Sequence, residues 1–184
     1  ANGEANTYTV VYNGNGATGG STASSTHTYD VEKALTENGF ERKYTVTYNH
    51  NYSGSTNTTR TSTYTFDKWN TLANGTGDNY TNKQNVTNLS TTNGATVNLY
   101  AQWTSASVTY NPTRTGYTFA GWFEDEDCTG TRVDSNGTYT PTANKTLYAK
   151  WIDSANPEVS ITRTDYNTFS WSALDNVGIT GYDS

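Results

Sequence analysis

The chain has 184 residues, 32% of them hydrophobic, with 15 Tyr, 5 Trp, a formal net charge of -6 and a pI near 4.7. An acidic chain with no cluster of Lys or Arg repels nucleic acid and anionic membrane surfaces, so both are excluded as partners. The lone Cys128 excludes an internal disulfide, and no apolar run approaches the ~18 residues of a membrane span.

Mean hydropathy is -0.81, yet aromatic residues make up 14% of the chain. Each buried ring removes roughly 150–250 Å² from water, so a few rings can replace many aliphatic side chains. Charged residues are only 15%, unlike a disordered polyelectrolyte. A real but thin core is expected. The absence of Met and the single thiol fit a protein exported by a bacterium that does not rely on disulfides. Ala1-Asn2-Gly3-Glu4 is not a signal peptide, so an export signal or wall anchor is expected outside this stretch.

In chain order, the first strand signal is Tyr8-Thr9-Val10-Val11-Tyr12-Asn13, leading into a glycine-rich turn. One helical candidate follows, Val31 to Glu37, with Asp30 as N-cap and Asn38-Gly39 as C-cap. Tyr44-Thr45-Val46-Thr47-Tyr48-Asn49 repeats the opening, and strict alternation places Tyr44, Val46 and Tyr48 on one face. Phe66-Asp67-Lys68-Trp69 comes next, and then Leu99-Tyr100-Ala101-Gln102-Trp103, a strand with Leu99, Ala101 and Trp103 on one side. The same frame recurs as Phe119-Ala120-Gly121-Trp122 and Leu147-Tyr148-Ala149-Lys150-Trp151. In each Phe-x-x-Trp the two rings are an odd number of residues apart, which a regular strand sends to opposite faces. A bulge or turn at Asp67-Lys68 and at Ala120-Gly121 restores both to one core. Asn-Gly pairs at 13, 38, 74, 93 and 136 mark turns. After Trp151, Ile152 to Pro157 reads as a linker, followed by short strands at Val159–Ile161 and Thr168–Ser172 and by Asp175-Asn176-Val177-Gly178-Ile179-Thr180-Gly181-Tyr182.

The duplicated frame marks small modules that each rebuild a core, and the fold class is mainly β. The frame resembles the Listeria-Bacteroides repeat, the internalin-type B-repeat of bacterial surface proteins. The residues that carry the likeness are Pro112 to Trp122, Cys128 to Thr131 and Thr146 to Trp151, and in the first copy Asn13 to Gly16, Phe66 to Asn70 and Leu99 to Trp103. The resemblance implies β-grasp-like small α+β modules in tandem on secreted or wall-attached proteins, used for adhesion or spacing. Residues 156–182 resemble the start of a fibronectin type III or related immunoglobulin-like sandwich, which needs about seven strands. The expected division is therefore 1–103, a first module with an extra hairpin around Arg42 to Thr65; 104–151, a second, shorter module; and 152–184, a linker with the first strands of a truncated sandwich. The second module lacks the opening strand that the first has at 8–16. Strands borrowed from its neighbour, or simple abbreviation, would each account for this.

Chemistry has few candidates. Asp125-Glu126-Asp127-Cys128-Thr129-Gly130 opens like a calcium loop, but Asn136 stands where the bidentate Glu belongs, so a solvated turn is expected and no metal site. Glu124 with Asp125, or Glu32 with Glu37, lack the cleft that glycoside hydrolysis requires. His27 and His50 lie in polar turns without zinc spacing and are expected at the surface. Cys128 among carboxylates is a half-buried filler rather than a nucleophile. Asn57-Thr58-Thr59 and Asn136-Gly137-Thr138 match a glycosylation triplet that a bacterial source leaves bare.

No catalytic residue, cofactor or metal is thus expected. Trp69, Trp103, Trp122 and Trp151 are expected in the core; the weak candidates for contact are Trp122, Phe123, Tyr100 and Tyr148. The expected function is a non-catalytic extracellular segment, monomeric, that meets a host or neighbouring-cell protein or glycan or only spaces other modules. The alternative is an accessory carbohydrate-binding segment of a secreted glycan-degrading enzyme. A third possibility is strand pairing with a partner along an open edge near Thr56 to Thr65.

Overall fold

The computed structural model describes residues 3–154 and the backbones of two further strands, Glu158–Arg163 and Phe169–Leu174. The main strands are β1 (Thr7–Asn13), β2 (Ser25–Thr28), β3 (Lys43–Asn49), β4 (Thr58–Thr63), β5 (Thr65–Asn70), β6 (Asn79–Tyr80), β7 (Ala95–Thr104), β8 (Tyr117–Phe123) and β9 (Lys145–Asp153); the two C-terminal strands are β10 and β11. The fold is mainly β. Among the described residues there is no helix, which corrects the expectation for Val31 to Glu37. Asp30 sits at φ 61° instead of capping, and its carboxylate accepts Asn88 Nδ2 at 2.8 Å. Lys33–Ala34 pairs antiparallel with Asn85–Val86, and Leu35 is buried with its N–H on Gln84 O at 2.9 Å. A two-turn helix has little intrinsic stability, and these tertiary bonds outweigh it.

The chain divides into two compact units, each made of separated stretches. The first takes the chain to Val46, Arg60–Val108 and Thr140–Lys145; the second takes Thr47–Thr59, Thr109–Tyr139 and the stretch from Thr146. In the first unit a five-stranded sheet runs in the order β2-β1-β7-β5-β6. Its centre is a parallel pair, with Tyr8 opposite Ala95 and Tyr12 opposite Leu99, flanked by antiparallel neighbours. Alternation along β1 buries Tyr8, Val10 and Tyr12 against Leu35, Trp69, Val86, Leu99 and Ala101.

A second sheet runs β8-β9-β3-β4. The strand that repeats the opening motif, β3, therefore lies beside β9, the closing strand of the second frame. Strand for strand, β4-β3-β9-β8 repeats β2-β1-β7-β5. Both expected bulges are present. On β5 and β7, Trp69 faces Ala101 while Phe66 faces Trp103; on β8 and β9, Trp122 faces Ala149 while Phe119 faces Trp151. Asn136 and Gly137, at φ 51° and 82°, make the two-residue turn between Ser135 and Thr138 that left-handed backbone permits. The strands expected after Pro157 form an antiparallel hairpin, with Glu158 opposite Leu174 and Arg163 opposite Phe169. Asp175 to Tyr182 lies outside the described residues.

Candidate functional site

Each unit contains the same corner, built from an Asn-x-Asn sequence at the end of a strand. In the first, Asn13 Oδ1 accepts Asn15 N–H at 2.8 Å, and Asn15 Nδ2 donates to Ala73 O and Ala101 O at 2.8 Å each. In the second, Asn49 Oδ1 accepts Asn51 N–H at 2.8 Å, and Asn51 Nδ2 donates to Glu126 O at 2.9 Å and Ala149 O at 3.1 Å. Asn15 and Asn51 both sit at positive φ, 47° and 63°, which Asn tolerates better than most residues. The indole of the closing Trp completes each corner: Trp103 Nε1 donates to Gly14 O at 2.9 Å, and Trp151 Nε1 to His50 O at 2.6 Å.

The rings repeat as closely as the hydrogen bonds. Tyr12 lies 4.9 Å from Trp69 and Tyr48 lies 4.6 Å from Trp122; Phe66 and Phe119 bridge these to Trp103 and Trp151 at 6.0 and 5.7 Å. Two sites differ. The buried Trp122 Nε1 donates to Tyr110 O at 2.9 Å, whereas the buried Trp69 Nε1 has no partner among the described residues. The loop after each Trp is also held differently. Fully buried Asn70 donates to Gly75 O, Gly77 O and Asn79 Oδ1 and accepts from Leu72 and Gly77 N–H. In the second unit the buried Asp134 carboxylate accepts Trp122 N–H at 2.6 Å, Gly137 N–H at 2.7 Å and the Arg132 fork at 2.9 and 3.0 Å. Burial pushes Asp134 up, but the hydrogen bonds from Arg132, Trp122 and Gly137 outweigh it and hold its carboxyl below the usual range. Sequence reasoning missed both holders, because a polar residue after a strand gives no sign of burial.

Trp122, weighed for core and for contact, is fully buried, and Phe123 is buried under Lys150 Nζ at 5.4 Å from its ring centre. Neither offers a free ring face. Tyr100 and Tyr148 are half-buried, as are Trp103 and Trp151, while Trp69 is fully buried. His27 corrects its expectation: it is fully buried, stacked on Tyr8 at 5.3 Å, with Nε2 2.7 Å from Ser25 Oγ, which is 2.8 Å from Tyr12 OH. Burial, then the charge of Lys33, lowers its pKa, so it is held neutral. His50 is only partly exposed, its Nε2 2.7 Å from Tyr110 OH. Cys128 is buried, and burial first and Asp125 second push its thiol up, away from reactivity. Asp125 turns its carboxylate onto Thr129 N–H and Oγ1, both at 3.1 Å, and the Thr129 backbone bond leads in holding its pKa low. No group of three His, Cys, Asp or Glu side chains converges to hold a metal among the described residues.

The second unit carries an open groove of about 460 Å³, bordered by Arg114, Tyr117, Trp151, Lys150, Glu126 and Asp127. Arg114 lies over the Tyr117 ring at 3.5 Å and the Tyr52 ring at 4.4 Å. The first unit repeats the pair: Arg42 lies 4.8 Å over Tyr64, and Tyr64 N–H donates to Arg42 O at 2.8 Å as Tyr117 N–H does to Arg114 O at 3.0 Å.

The closing Leu-Tyr-Ala-x-Trp strand, the Arg-Tyr pair and the Phe-x-x-Trp bulge recur as one unit of structure. Residues 91–150 match the family model of the Listeria-Bacteroides repeat domain. The matched stretch of this repeat runs from the end of the first frame through nearly all of the second, and includes β8 and most of β9. No match is found among curated proteins or among solved structures.

Proposed function

We propose that this chain is a non-catalytic extracellular repeat segment of a bacterial cell-surface or secreted protein, acting as an adhesive or spacing module. The observation that carries the reading is the use of the repeated aromatic set. In both copies the first Trp, the Leu and the Ala are buried, and both closing indoles hydrogen-bond inward, so each set is consumed in its own interior. Such closed cores suit serial modules. The family match supports the surface-protein setting, and no helix among the described residues is long and apolar enough to cross a membrane. A β-grasp relationship of the units and a fibronectin-like continuation beyond Pro157 belong to the same proposal.

Beads coated with the chain test it, run over arrayed glycans and cell-surface proteins beside assays with glycosidase and peptidase substrates. Retention lost on prior denaturation, with no turnover, is the expected result. Turnover that survives purification and disappears in an acidic-residue variant contradicts the non-catalytic reading; folded beads held by nothing on the array leave spacing as the role.

A further inference from the structure

At the groove around Arg114 the two repeats diverge in a way that bears on a ligand. Its counterpart Arg42 is engaged: Nε donates to Tyr44 OH at 2.9 Å, and the guanidinium packs beside Gly16, where a Cβ would collide with it. The half-buried Arg114 guanidinium, by contrast, makes no hydrogen bond or ion pair to any described residue. Contact with the Tyr117 and Tyr52 rings holds it in place without using its donors. A guanidinium so held with its fork unspent is prepared for a carboxylate, which it can grip through two parallel hydrogen bonds.

The rest of the groove limits what carries that carboxylate. Trp151 is half-buried and lines the groove, with the Arg114 guanidinium 5.9 Å from its ring centre, while Glu126 and Asp127 are exposed acceptors and Lys150 an exposed donor. Two carboxylates beside two cations disfavour a dense polyanion such as a nucleic acid or a phosphorylated surface. They suit a ligand whose many hydroxyls both donate and accept, with one flat apolar face for an indole and an isolated negative charge. A pyranose ring bearing a carboxyl group has those features, and an open groove lets a chain of neutral sugars continue past either end.

We infer that this groove binds an acidic saccharide, its uronate-type carboxylate on Arg114, its ring against Trp151 and its hydroxyls on Glu126, Asp127 and Lys150. This deepens, and rests on, the adhesive reading above. Titration of the full chain with a neutral oligosaccharide bearing a single glucuronate, and with its methyl ester, followed by NMR, tests it. The acid form is expected to move the Trp151 and Tyr117 signals, and the ester to bind about tenfold more weakly, as loss of a charged hydrogen-bond pair implies. Arg114→Gln is expected to match that loss, Arg114→Lys to lose less, and Arg42→Gln to bind like the parent, with indole spectra showing each variant folded. Equal binding of acid and ester, an equal loss from Arg42→Gln, or tighter binding of an acidic peptide overturns the inference. If the glucuronate-bearing sugar fails while coated beads still hold to other arrayed ligands, this inference falls and the adhesive reading stands; if neither the sugar nor any arrayed ligand binds, both fall.

Discussion

Single side chains set the two cores apart even though their frames coincide. Trp122 Nε1 satisfies the carbonyl of Tyr110, while Trp69 Nε1 is buried without a partner among the described residues. Replacing Trp69 by Phe removes an already unpaired donor, whereas Trp122→Phe strands an acceptor. Urea denaturation is expected to show Trp122→Phe costing about 1–2 kcal/mol more than Trp69→Phe, the range for an abandoned buried hydrogen-bond partner. The burial of these Trp was legible in the sequence, because a chain poor in Leu and Ile needs its indoles inside. The polar holders Asn70 and Asp134 were not, since their role depends on loops folding back onto them. His27 departs from its expectation for a different reason: its Thr-rich stretch forms β2 rather than a turn, and alternation along that strand points it inward. Its lowered pKa has a consequence with a definite sign. The unfolded chain takes up the proton first, so stability is complete above the ordinary His range near 6.5 and falls as pH drops from there toward the depressed folded value. Melts from pH 7 to 5 are expected to show a loss that His27→Gln reduces; an unchanged pH slope in that variant contradicts the assignment.

At the scale of elements, the bulge is the device that lets a Phe-x-x-Trp strand bury both rings. Spacing points to it, because an odd separation on a strand needs a bulge or a turn to bring both rings to one face. Gly121 sits in the second bulge at φ 118°, and a Cβ there would strike the Arg132 side chain that braces Asp134. Gly121→Ala is therefore expected to destabilise by roughly 1–3 kcal/mol, the range for a residue forced into sparsely allowed backbone. Hydrogen exchange should report it as faster exchange at Trp122 N–H, the donor to Asp134. The helix expected at Val31 to Glu37 shows the opposite limit. Its caps were plausible locally, but Asp30 is bonded to Asn88, far along the chain, and no local pattern announces that partner.

Across the whole chain, the order of strands decides which opening joins which core. Two similar openings and two similar closings are visible in the sequence, but which opening serves which closing is a non-local choice. The structure pairs β1 with β7, and sets β3 beside β9, so the openings come first and second and the closings follow in the same order. Residues 43–63 stand where the second copy has only Thr115-Gly116, between an Arg and a Tyr joined by the same backbone hydrogen bond. The stretch expected to be an extra hairpin of the first module thus supplies β3, the strand that the second frame lacks in its own run of sequence.

Replacing residues 43–63 by Thr-Gly tests this division of the strands directly, with the four frame indoles assigned in the NMR spectrum by Trp→Phe variants. Trp69 and Trp103 are expected to keep their native, protected signals while Trp122 and Trp151 collapse to solvent-exposed positions. Survival of the Trp122 and Trp151 signals, with loss of those of Trp69 and Trp103, would contradict it.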